Sequence, residues 1–506
     1  MKLNEKSWAV ILAFICLVYI LLRCWHLTDS CLWFDEIFSV HAAEHDWQNL
    51  FWFVAQDLIH PPLFYVLLKL WISIGGESLF WLRFFSVFFS IIALIPFYLL
   101  CRQLKLKYST IALALTFLAV SGSLIKYAQE VRMYSLLLCL SLFSMWLLAR
   151  FLNVGKGIWF LTFVNILLVY TQYFGWFVVL AEVFAVLVLQ RLKIRQILIM
   201  FGLTAISFVP WLMVVFQAAT INANISQNLG WASKPNVSTL FQFLFDLSEP
   251  FYYQPSNADA ASIYVLTIPL LLIFTTALVF YFVNWKAETD KEKNAFYFLL
   301  VFIATPVLLA FIASWILPYS IWGTRHLIII FVPLTILAAK TLTKIQVSKL
   351  QTFFLAFIFL LFGIAFWLHI QRGTTVFIWC AWANLVADLP KTEAATIYVF
   401  EDDVAYQTWF ALRENVSNFQ ITKVNNIPEL AEDKAYFLPR GFGAVQITDA
   451  NGFDGERFWI AFRAKNFDNQ KPPLRTLIEK DYKIGEPKVF EAQGLKAFLV
   501  LAEKER

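Results

Sequence analysis

The chain has 506 residues, of which 60% are hydrophobic and only 15% are charged. An ordinary soluble protein is roughly 45–50% apolar, so this composition excludes a cytosolic globular enzyme, a disordered chain and a nucleic-acid-binding protein. The 53 Phe, 20 Trp and 18 Tyr residues are of the types that line both water interfaces of a membrane protein. The net charge of +5 is too small to indicate a polyanionic partner. The composition therefore predicts an integral membrane protein.

Apolar runs near the roughly 20 residues needed to cross hydrocarbon occur eleven times before residue 372. They cover residues 7–23, 80–100, 109–126, 133–150, 158–172, 174–190, 197–217, 261–284, 295–317, 321–339 and 351–370. A shorter apolar segment, His60–Gly76, contains two prolines and Lys69, so an interfacial helix is expected there. The sequence predicts an all-α polytopic membrane bundle of eleven transmembrane helices plus interfacial helices.

The density of charged residues changes once along the chain, near Arg372. Residues 381–506 include 35 charged side chains, which is typical of a soluble domain, whereas the first 380 residues include 40. We therefore predict a transmembrane domain over residues 1–372 and a small soluble α/β domain over residues 373–506. Its strands are expected at Ala395–Phe400, Ala435–Leu438, Phe458–Phe462 and Ala497–Leu501, and its helices at Val404–Arg413 and Leu474–Asp481.

Lysine and arginine residues fall in every second loop, and the positive-inside rule uses this bias to orient the spans. Lys2, Lys6 and the basic loops 102–107, 150–156, 191–195, 286–293 and 344–349 are assigned to the cytoplasm. The odd number of spans then predicts an extracytoplasmic tail and a first outer loop over residues 24–79. A disulfide bond between Cys24 and Cys31 can form if that loop is extracytoplasmic.

Two adjacent acids, Asp35 and Glu36, follow Trp33 and Phe34 in the first outer loop. Paired acids beside aromatic residues at a membrane surface suit a general base or metal ligands that face an amphiphilic substrate. The alternative is a solvated loop in which both acids only stabilise the start of a helix.

The same loop carries His41, Glu44 and His45 in the spacing His-x-x-Glu-His, which matches the inverted zinc-protease pattern. The pattern is short, and no third ligand or substrate cleft can be identified. Glu36, His41 and His45 are therefore candidates for binding a divalent metal, with ordinary loop histidines as the alternative.

A second polar cluster, Lys126–Tyr134, lies between the third and fourth spans. Charges this close to apolar spans are costly unless they are paired or functional. In the structural alternative, Glu130 pairs with Arg83 or Arg132 and joins two helix ends. Four cations at the outer ends of spans would suit a phosphate group, whose geometry guanidinium groups match: Arg83, Lys126, Arg132 and Arg325. No glycine-rich phosphate loop occurs, so a nucleotide-driven pump or nucleotide-cofactor enzyme is unsupported.

Four motifs within residues 29–134 together resemble those of the GT-C membrane glycosyltransferases. They are Leu32-Trp33-Phe34-Asp35-Glu36, His60-Pro61-Pro62-Leu63-Phe64-Tyr65, Leu82-Arg83 and Tyr127-Ala128-Gln129-Glu130-Val131-Arg132-Met133-Tyr134. The bacterial branch akin to protein O-mannosyltransferases and to the lipid A aminoarabinose transferase is the most similar in pattern, and the span layout extends the likeness to about residue 370. Arg325 resembles the arginine of an Arg-Tyr pair near a late span, where this chain has His326 in place of the tyrosine.

The resemblance implies a hexosyl- or pentosyltransferase that moves a sugar, with inversion at the anomeric carbon, from a polyprenyl phosphate to a lipid, glycan or protein acceptor. It further implies a place in the bacterial cytoplasmic (inner) membrane, with the N-terminus cytoplasmic, and a role in cell-envelope glycans such as lipopolysaccharide. Membrane lipid is an expected partner and nucleic acid is not. The aromatic residues of the 218–260 loop are expected to help select the acceptor: Trp231, Phe251, Tyr252 and Tyr253.

Roles for single residues follow from this resemblance. By analogy with inverting glycoside chemistry, Asp35 is predicted to deprotonate the acceptor. Neighbouring helical residues point about 100° apart, so Glu36 is predicted to orient the loop or to bind a divalent metal. The cations predicted to stabilise the departing phosphate are Arg83, Lys126, Arg132 and Arg325. Supporting roles fall to Glu130, which would hold a guanidinium group, to His60 and to Tyr127.

Two other classes of protein compete with a transferase. A transporter or lipid flippase usually places polar residues near the middle of the membrane, in repeated halves. Here the candidate charges lie at one rim, and no internal repeat is detectable. A non-enzymatic scaffold that uses its tail to bind partners would leave the rim acids and cations unexplained.

Overall fold

The computed structural model describes residues 4–221, 233–251, 260–371, 376–387, 389, 395–413, 418–430, 436–450, 452–492 and 494–505, which leaves Trp231, Tyr252 and Tyr253 outside. Contacts divide the chain into two units. The helical unit comprises Met1–Leu27 and Asp46–Gly373, and the sheet unit comprises Thr28–His45 and Thr374–Arg506. Residues 28–45 of the predicted first outer loop therefore belong with the tail.

The helical unit is built from apolar helices of very different lengths. In chain order they are α1 (Glu5–Cys24), α3 (Trp47–Asp57), α4 (Leu63–Gly75), α5 (Leu79–Ile92), α6 (Leu94–Gln103), α7 (Tyr108–Val120), α8 (Gly122–Ala128), α9 (Tyr134–Val154), α10 (Ile158–Thr171), α11 (Gly175–Leu189), α12 (Ile194–Ile221), α13 (Val237–Ser248), α14 (Ala260–Val283), α15 (Asp290–Ile316), α16 (Phe331–Thr343) and α17 (Ser348–Gln371). Within the described residues, seven helical segments are long and apolar enough to cross a membrane, by length and composition: Glu5–Cys24, Leu79–Gln103, Tyr134–Val154, Arg191–Ile221, Val265–Val283, Asp290–Ile316 and Ser348–Gln371.

All eleven predicted spans overlap helices, and the predicted polytopic all-α bundle is confirmed. The tenth span, 321–339, is wrong at its start, because residues 321–327 are coil and turn and the α-helix begins only at Phe331. The second span consists of two helices, α5 and α6, on either side of Ala93. The third span is wrong in one respect, because its helix ends at Val120 and a separate helix begins at Gly122. The N–H of Gly122 donates to the carbonyl of Glu249 (2.9 Å), and the N–H of Phe251 donates to the carbonyl of Val120 (2.6 Å). These strand-like hydrogen bonds replace the ones that would continue the helix through Ser121.

A buried arginine stabilises the end of α7. The side chain of Arg23 is 0% exposed, and its guanidinium group donates to the carbonyls of Leu118 (2.9 Å) and Ala119 (3.3 Å) and to the hydroxyl of Ser90 (3.1 Å). The last carbonyls of a helix have no partner within the helix and attract cations. Arg23 therefore helps to fix where α7 stops and where the polar segment that begins with α8 starts.

The predicted interfacial helix exists as α4, which begins directly after Pro62. Its 13 residues span about 20 Å, less than the roughly 30 Å of a hydrocarbon core. Trp71 of α4 stacks on Trp81 of α5 with ring centroids 4.3 Å apart. Each indole N–H donates to the backbone carbonyl of the other residue, at 2.8 and 2.9 Å. This reciprocal pair fastens α4 to the following helix.

The sheet unit combines α2 (Phe34–Glu44) with the α/β tail. Its helices in the tail are α18 (Ala381–Ala387), α19 (Asp402–Leu412) and α20 (Leu474–Ile478), and its strands are β1 (Ala395–Val399), β2 (Phe419–Asn425), β3 (Val445–Asp449), β4 (Arg457–Ala464), β5 (Tyr482–Ile484), β6 (Lys488–Ala492) and β7 (Leu495–Lys504). The described strands form one sheet in the order β3-β2-β1-β4-β7-β5, with β6 also paired to β7. The first four strands in this order are parallel, and β7 is antiparallel to its neighbours.

The predicted α/β tail is confirmed, although not every element is right. Strands occur at three of the four expected places, and helices occur at both. The strand expected at Ala435–Leu438 is wrong, since residues 436–438 have no regular structure. The sequence analysis missed β2, β3, β5 and β6.

The cysteine pairing also differs from the expectation. Cys31 bonds to Cys380, 349 residues further along the chain, with Cα atoms 5.4 Å apart. Cys24 is a free thiol, so the Cys24–Cys31 disulfide is wrong. The observed bond joins the segment before α2 to the segment before α18.

We predict that Arg23→Met lowers the free energy of unfolding by about 1–3 kcal/mol, because it leaves the buried carbonyls that end α7 without their donor. The measurement is the Tm of the purified protein in detergent. Arg191→Met is the matched control, since Arg191 lies on the surface and its described hydrogen bond is to the carbonyl of Leu187, four residues earlier in the chain. Equal Tm values for both variants would contradict the capping role of Arg23.

Candidate functional site

Three polar side chains of the helical unit form a chain of hydrogen bonds. Helix α3 ends at Asp57, and Leu58 adopts a left-handed conformation (φ 64°) that turns the chain toward His60. The imidazole Nδ1 of His60 lies 2.5 Å from a carboxylate oxygen of Asp57. Its Nε2 lies 3.1 Å from Nη2 of Arg132. The loop after α3 is thereby joined to the segment between α8 and α9.

The protonation state of His60 follows from its two partners. A guanidinium group only donates hydrogen bonds, so Nε2 of His60 accepts from Arg132. The remaining nitrogen, Nδ1, then carries the proton and donates a hydrogen bond to the carboxylate of Asp57. The side chain of Arg132 is only 3% exposed, and a buried charge needs such compensation. A neutral imidazole therefore couples the carboxylate of Asp57 to a buried cation.

A tyrosine joins this chain to the turn that precedes α16. The hydroxyl of Tyr127 lies 3.1 Å from that of Thr324, and its ring packs against Tyr134 with centroids 5.0 Å apart. Burial raises the pKa of Tyr127, and this effect outweighs the lowering by the positive charge of Lys126. Tyr127 is therefore a neutral hydrogen-bonding group at physiological pH. It places Thr324, and with it Arg325, beside the Lys126–Tyr134 segment.

His326 lies in the same region. Its Nδ1 lies 3.1 Å from the carbonyl of Ile321, which can only accept, so Nδ1 carries a proton. In the neutral imidazole, Nε2 is then an acceptor. We refer to Asp57, His60, Tyr127, Arg132, Thr324 and His326 together as the His60 cluster.

The other predicted phosphate ligands lie close to this cluster in the fold. Arg83 is 5% exposed, and its Nη1 donates to the carbonyl of Leu27 at 2.9 Å. One turn further along α5, the hydroxyl of Ser86 donates to the carbonyl of Arg132 at 3.3 Å. Helix α5 therefore carries Arg83 and also holds the backbone of Arg132.

Lys126 and Glu130 are both partly exposed. The ammonium group of Lys126 lies 5.6 Å from the ring centre of Tyr127, and the carbonyl of Glu130 accepts from the N–H of Arg132 at 2.7 Å. The role predicted for the carboxylate of Glu130 stays a prediction, whereas the described contact of the Arg132 guanidinium group is with His60.

The two predicted catalytic acids belong to the sheet unit, in the first turn of α2. Glu36 is fully buried, and its carboxylate accepts from the backbone N–H of Trp33 at 3.2 Å. Through this hydrogen bond Glu36 caps the start of its own helix. Asp35 is only partly buried, so its carboxylate is the more accessible of the two.

The three candidate metal ligands do not converge. Nδ1 of His41 lies 2.9 Å from the hydroxyl of Tyr406, and Nδ1 of His45 bonds the carbonyl of His41 at 2.7 Å. Glu36 is engaged as a helix cap. Among the described residues, no group of three or more His, Cys, Asp or Glu side chains could hold a metal ion, and the donor set of α2 does not fit one.

Several members of the site were not identified as such from the sequence. The sequence alone gave no role to Asp57, to Thr324 or to Phe174, whose ring stacks on that of His326 with centroids 4.9 Å apart. Tyr173 is a further neighbour of Asp57. Burial raises the pKa of Tyr173 to about 12, and the negative charge of Asp57 raises it further. The signal in the sequence that could have identified Asp57 was its position three residues before His60, at the end of a helix.

The helical bundle with short extra helices and an appended α/β sheet defines a membrane protein of the GT-C fold, and this prediction is confirmed. The chain is similar to ArnT from Cupriavidus metallidurans in its crystal structure bound to undecaprenyl phosphate, with a TM-score of 0.57, 11% identity and 98% of each chain covered. The apo state of that ArnT gives a TM-score of 0.55 and 12% identity over 98% of each chain. The oligosaccharyltransferase AglB from Archaeoglobus fulgidus is less similar, with a TM-score of 0.49 and 12% identity over 80% of this chain and 64% of AglB. No protein-family model and no curated protein matches the chain.

We predict that His41 makes the sheet unit sensitive to acid. Burial lowers the pKa of His41 to about 3, with help from the charges of His45 and Arg413. The unfolded chain takes up a proton below about pH 6.5 and the folded chain does not, so this contribution is complete above pH 6.5 and is lost as the pH falls toward 3. The loss amounts to about 2 kcal/mol at pH 5.

The measurement is the fall in Tm between pH 7.5 and pH 5, compared with that of His41→Phe, which should fall less. His26→Asn is the control, because His26 is exposed and has a φ of 56°, a conformation that Asn accepts. An equal fall for wild type and His41→Phe would refute the assignment.

Proposed function

We propose that the protein is an inverting glycosyltransferase that uses a polyprenyl-phosphate-linked sugar and a lipid, glycan or protein acceptor. The observation that carries the proposal is the His60 cluster, in which the cation Arg132 is buried and held by a hydrogen bond to His60. The fold is that of ArnT, one of whose crystal structures contains undecaprenyl phosphate. A prenyl phosphate is the kind of group that such a cluster would bind.

The proposed step has a simple balance of atoms. An acceptor oxygen attacks the anomeric carbon while the carboxylate of Asp35 takes its proton. The bond between that carbon and the phosphate oxygen breaks, and the prenyl phosphate leaves with the electron pair. Arg132 and Arg83 would stabilise the charge that develops on the phosphate, with Lys126 and Arg325 as further ligands.

The position of each proposed group reflects its chemistry. A guanidinium group that is already buried and hydrogen-bonded needs little reorganisation when the phosphate charge develops. His60 would act on Arg132 as a positioning residue, since its neutral imidazole fixes one N–H of the guanidinium group. Glu36 would act on Asp35 in the same way, through the start of α2.

The proposed location is a bacterial cytoplasmic membrane, with a cytoplasmic N-terminus and the sheet unit outside. The basic loops support this orientation. The Cys31–Cys380 disulfide supports it independently, because such bonds form and persist in oxidising compartments.

The competing transporter hypothesis has one feature in its favour, a buried acid between helices. Glu182 of α11 is 0% exposed and contacts Ser144 of α9 and Asn165 of α10, the latter at 2.6 Å. Ser144 also bonds Asn165 at 2.9 Å. These three side chains satisfy one another and join three helices, so we favour a structural role for Glu182.

We predict that Asp35→Asn lowers kcat by about 10²- to 10⁴-fold, the usual contribution of a general base. Binding of the donor and the Tm should be unchanged, because Asn has the same shape. The assay follows release of prenyl phosphate by mass spectrometry with a panel of polyprenyl-phosphate sugars, with and without a chelator to test for a divalent metal.

Asp481→Asn is the matched control for this substitution. Asp481 is exposed and has a φ of 63°, which suits Asn. Near-normal turnover of Asp35→Asn would remove Asp35 from the mechanism, and no release from any donor by the wild-type protein would sink the proposal.

We predict that Arg132→Lys lowers kcat/KM for the donor by about 10²-fold. An ammonium group keeps the positive charge, but it lacks the planar set of N–H donors with which a guanidinium group can contact His60 and a phosphate at once. Steady-state kinetics with the active donor measures the effect. Arg457→Lys is the control, since that arginine is 60% exposed on the sheet unit. An unchanged kcat/KM in Arg132→Lys would exclude Arg132 as a phosphate ligand.

A further inference from the structure

We infer that the sheet unit positions the catalytic base: Cys31, Cys380, His41 and Tyr406 are positioning residues that hold the helix carrying Asp35. This inference rests on the proposed function, since it concerns how Asp35 is aimed. It gives the tail a part in the reaction rather than an accessory role. Contacts along α2, all within the sheet unit, support it.

The first anchor is covalent and lies next to the base. Cys31 precedes Asp35 by four residues and is bonded to Cys380. The backbone N–H of Cys31 also donates to Sγ of Cys380 at 3.2 Å. The approach to α2 is therefore tied to the tail, just before the helix starts at Phe34.

The second anchor follows Asp35 along the chain, whereas the disulfide precedes it. This anchor is His41, nearly two turns further along α2. His41 bonds the hydroxyl of Tyr406 on α19, and its ring lies 4.6 Å from that of Trp409 and 5.4 Å from that of Phe442. Phe34, at the start of the helix, packs on the same Tyr406 with centroids 5.1 Å apart. Tyr406 is 0% exposed, so it is a rigid surface for both ends of the helix.

A third contact closes the C-terminal end, where Arg413 bonds Glu44 at 3.1 Å. Both partners are partly exposed, so this ion pair adds little energy but further restricts the rotation of the helix. Nine of the eleven residues of α2 are buried, and Asp35 is one of the two that are not. The anchors thus leave the proposed base accessible while they immobilise the helix around it.

This arrangement predicts a particular kinetic defect when the anchor is cut. A base that is displaced by about 1 Å can lose roughly 10²-fold in rate, whereas the proposed phosphate ligands belong to the helical unit and not to α2. Loss of the anchor should therefore lower kcat and leave the donor KM almost unchanged. A disulfide with only a stabilising role would lower the Tm without this separation.

The test uses the full-length protein in lipid nanodiscs and the variant Cys31→Ser/Cys380→Ser. We expect kcat to fall by about 10- to 100-fold, the donor KM to stay within about twofold, and backbone hydrogen exchange of residues 34–44 to become faster. Cys16→Ser/Cys24→Ser is the matched control, because these free thiols lie on α1. A reductant should reproduce the defect in the wild type and have no effect on the double variant.

If the double variant fails to fold, Tyr406→Phe and reduction of the folded wild type replace it, since Tyr406→Phe keeps the ring and removes only the hydrogen bond to His41. Faster exchange with an unchanged kcat would overturn the positioning role, and unchanged exchange would overturn the anchor. Absence of transfer by the wild-type protein would instead count against the proposed function, while hydrogen exchange would still test whether the disulfide and Tyr406 hold α2.

Discussion

A guanidinium group among apolar helices must have hydrogen-bond acceptors, and this requirement organises the helical unit. Arg23 finds its acceptors in the last carbonyls of α7, which helps to decide where that helix ends. Arg83 finds one in the carbonyl of Leu27. Arg132 finds one in the imidazole of His60, which is itself held by Asp57. Each buried cation therefore fixes a joint between segments that are distant in sequence.

The same requirement makes the His60 cluster suitable for anion chemistry. Side chains that are already desolvated and fixed by hydrogen bonds stabilise a developing charge better than solvated ones. Tyr127, whose pKa is raised by burial, supplies a hydrogen-bonding hydroxyl group without adding charge. The fold thus keeps the cations few, oriented and separated by neutral polar groups.

The predictable part of the structure is the part that short-range hydropathy controls. Apolar runs of spanning length predicted the positions of the long helices, because burying such a run in lipid leaves the backbone few alternatives to a helix. The short helices α3 and α13 lie outside those runs and were not predicted. The break at Ser121 escaped prediction because the apolar run continues through it, and the bonds that cause the break come from Glu249 and Phe251. The pairing of Cys31 with Cys380 escaped for the same reason, since spacing carries no information on partners 349 residues apart. Asp35 and Arg132 could be identified from the sequence alone, because a charged residue next to a long apolar run is unusual whatever its partners in the fold.

The discontinuity of the sheet unit has a consequence for biogenesis. Its first piece, residues 28–45, is synthesised before almost all of the helical unit, and its second piece, residues 374–506, is synthesised after that unit. Until the second piece has been made and has reached the same side of the membrane, α2 lacks the surface on which Phe34 and His41 pack. The helix that carries the proposed base therefore gains its packing surface only after the helical unit has been synthesised.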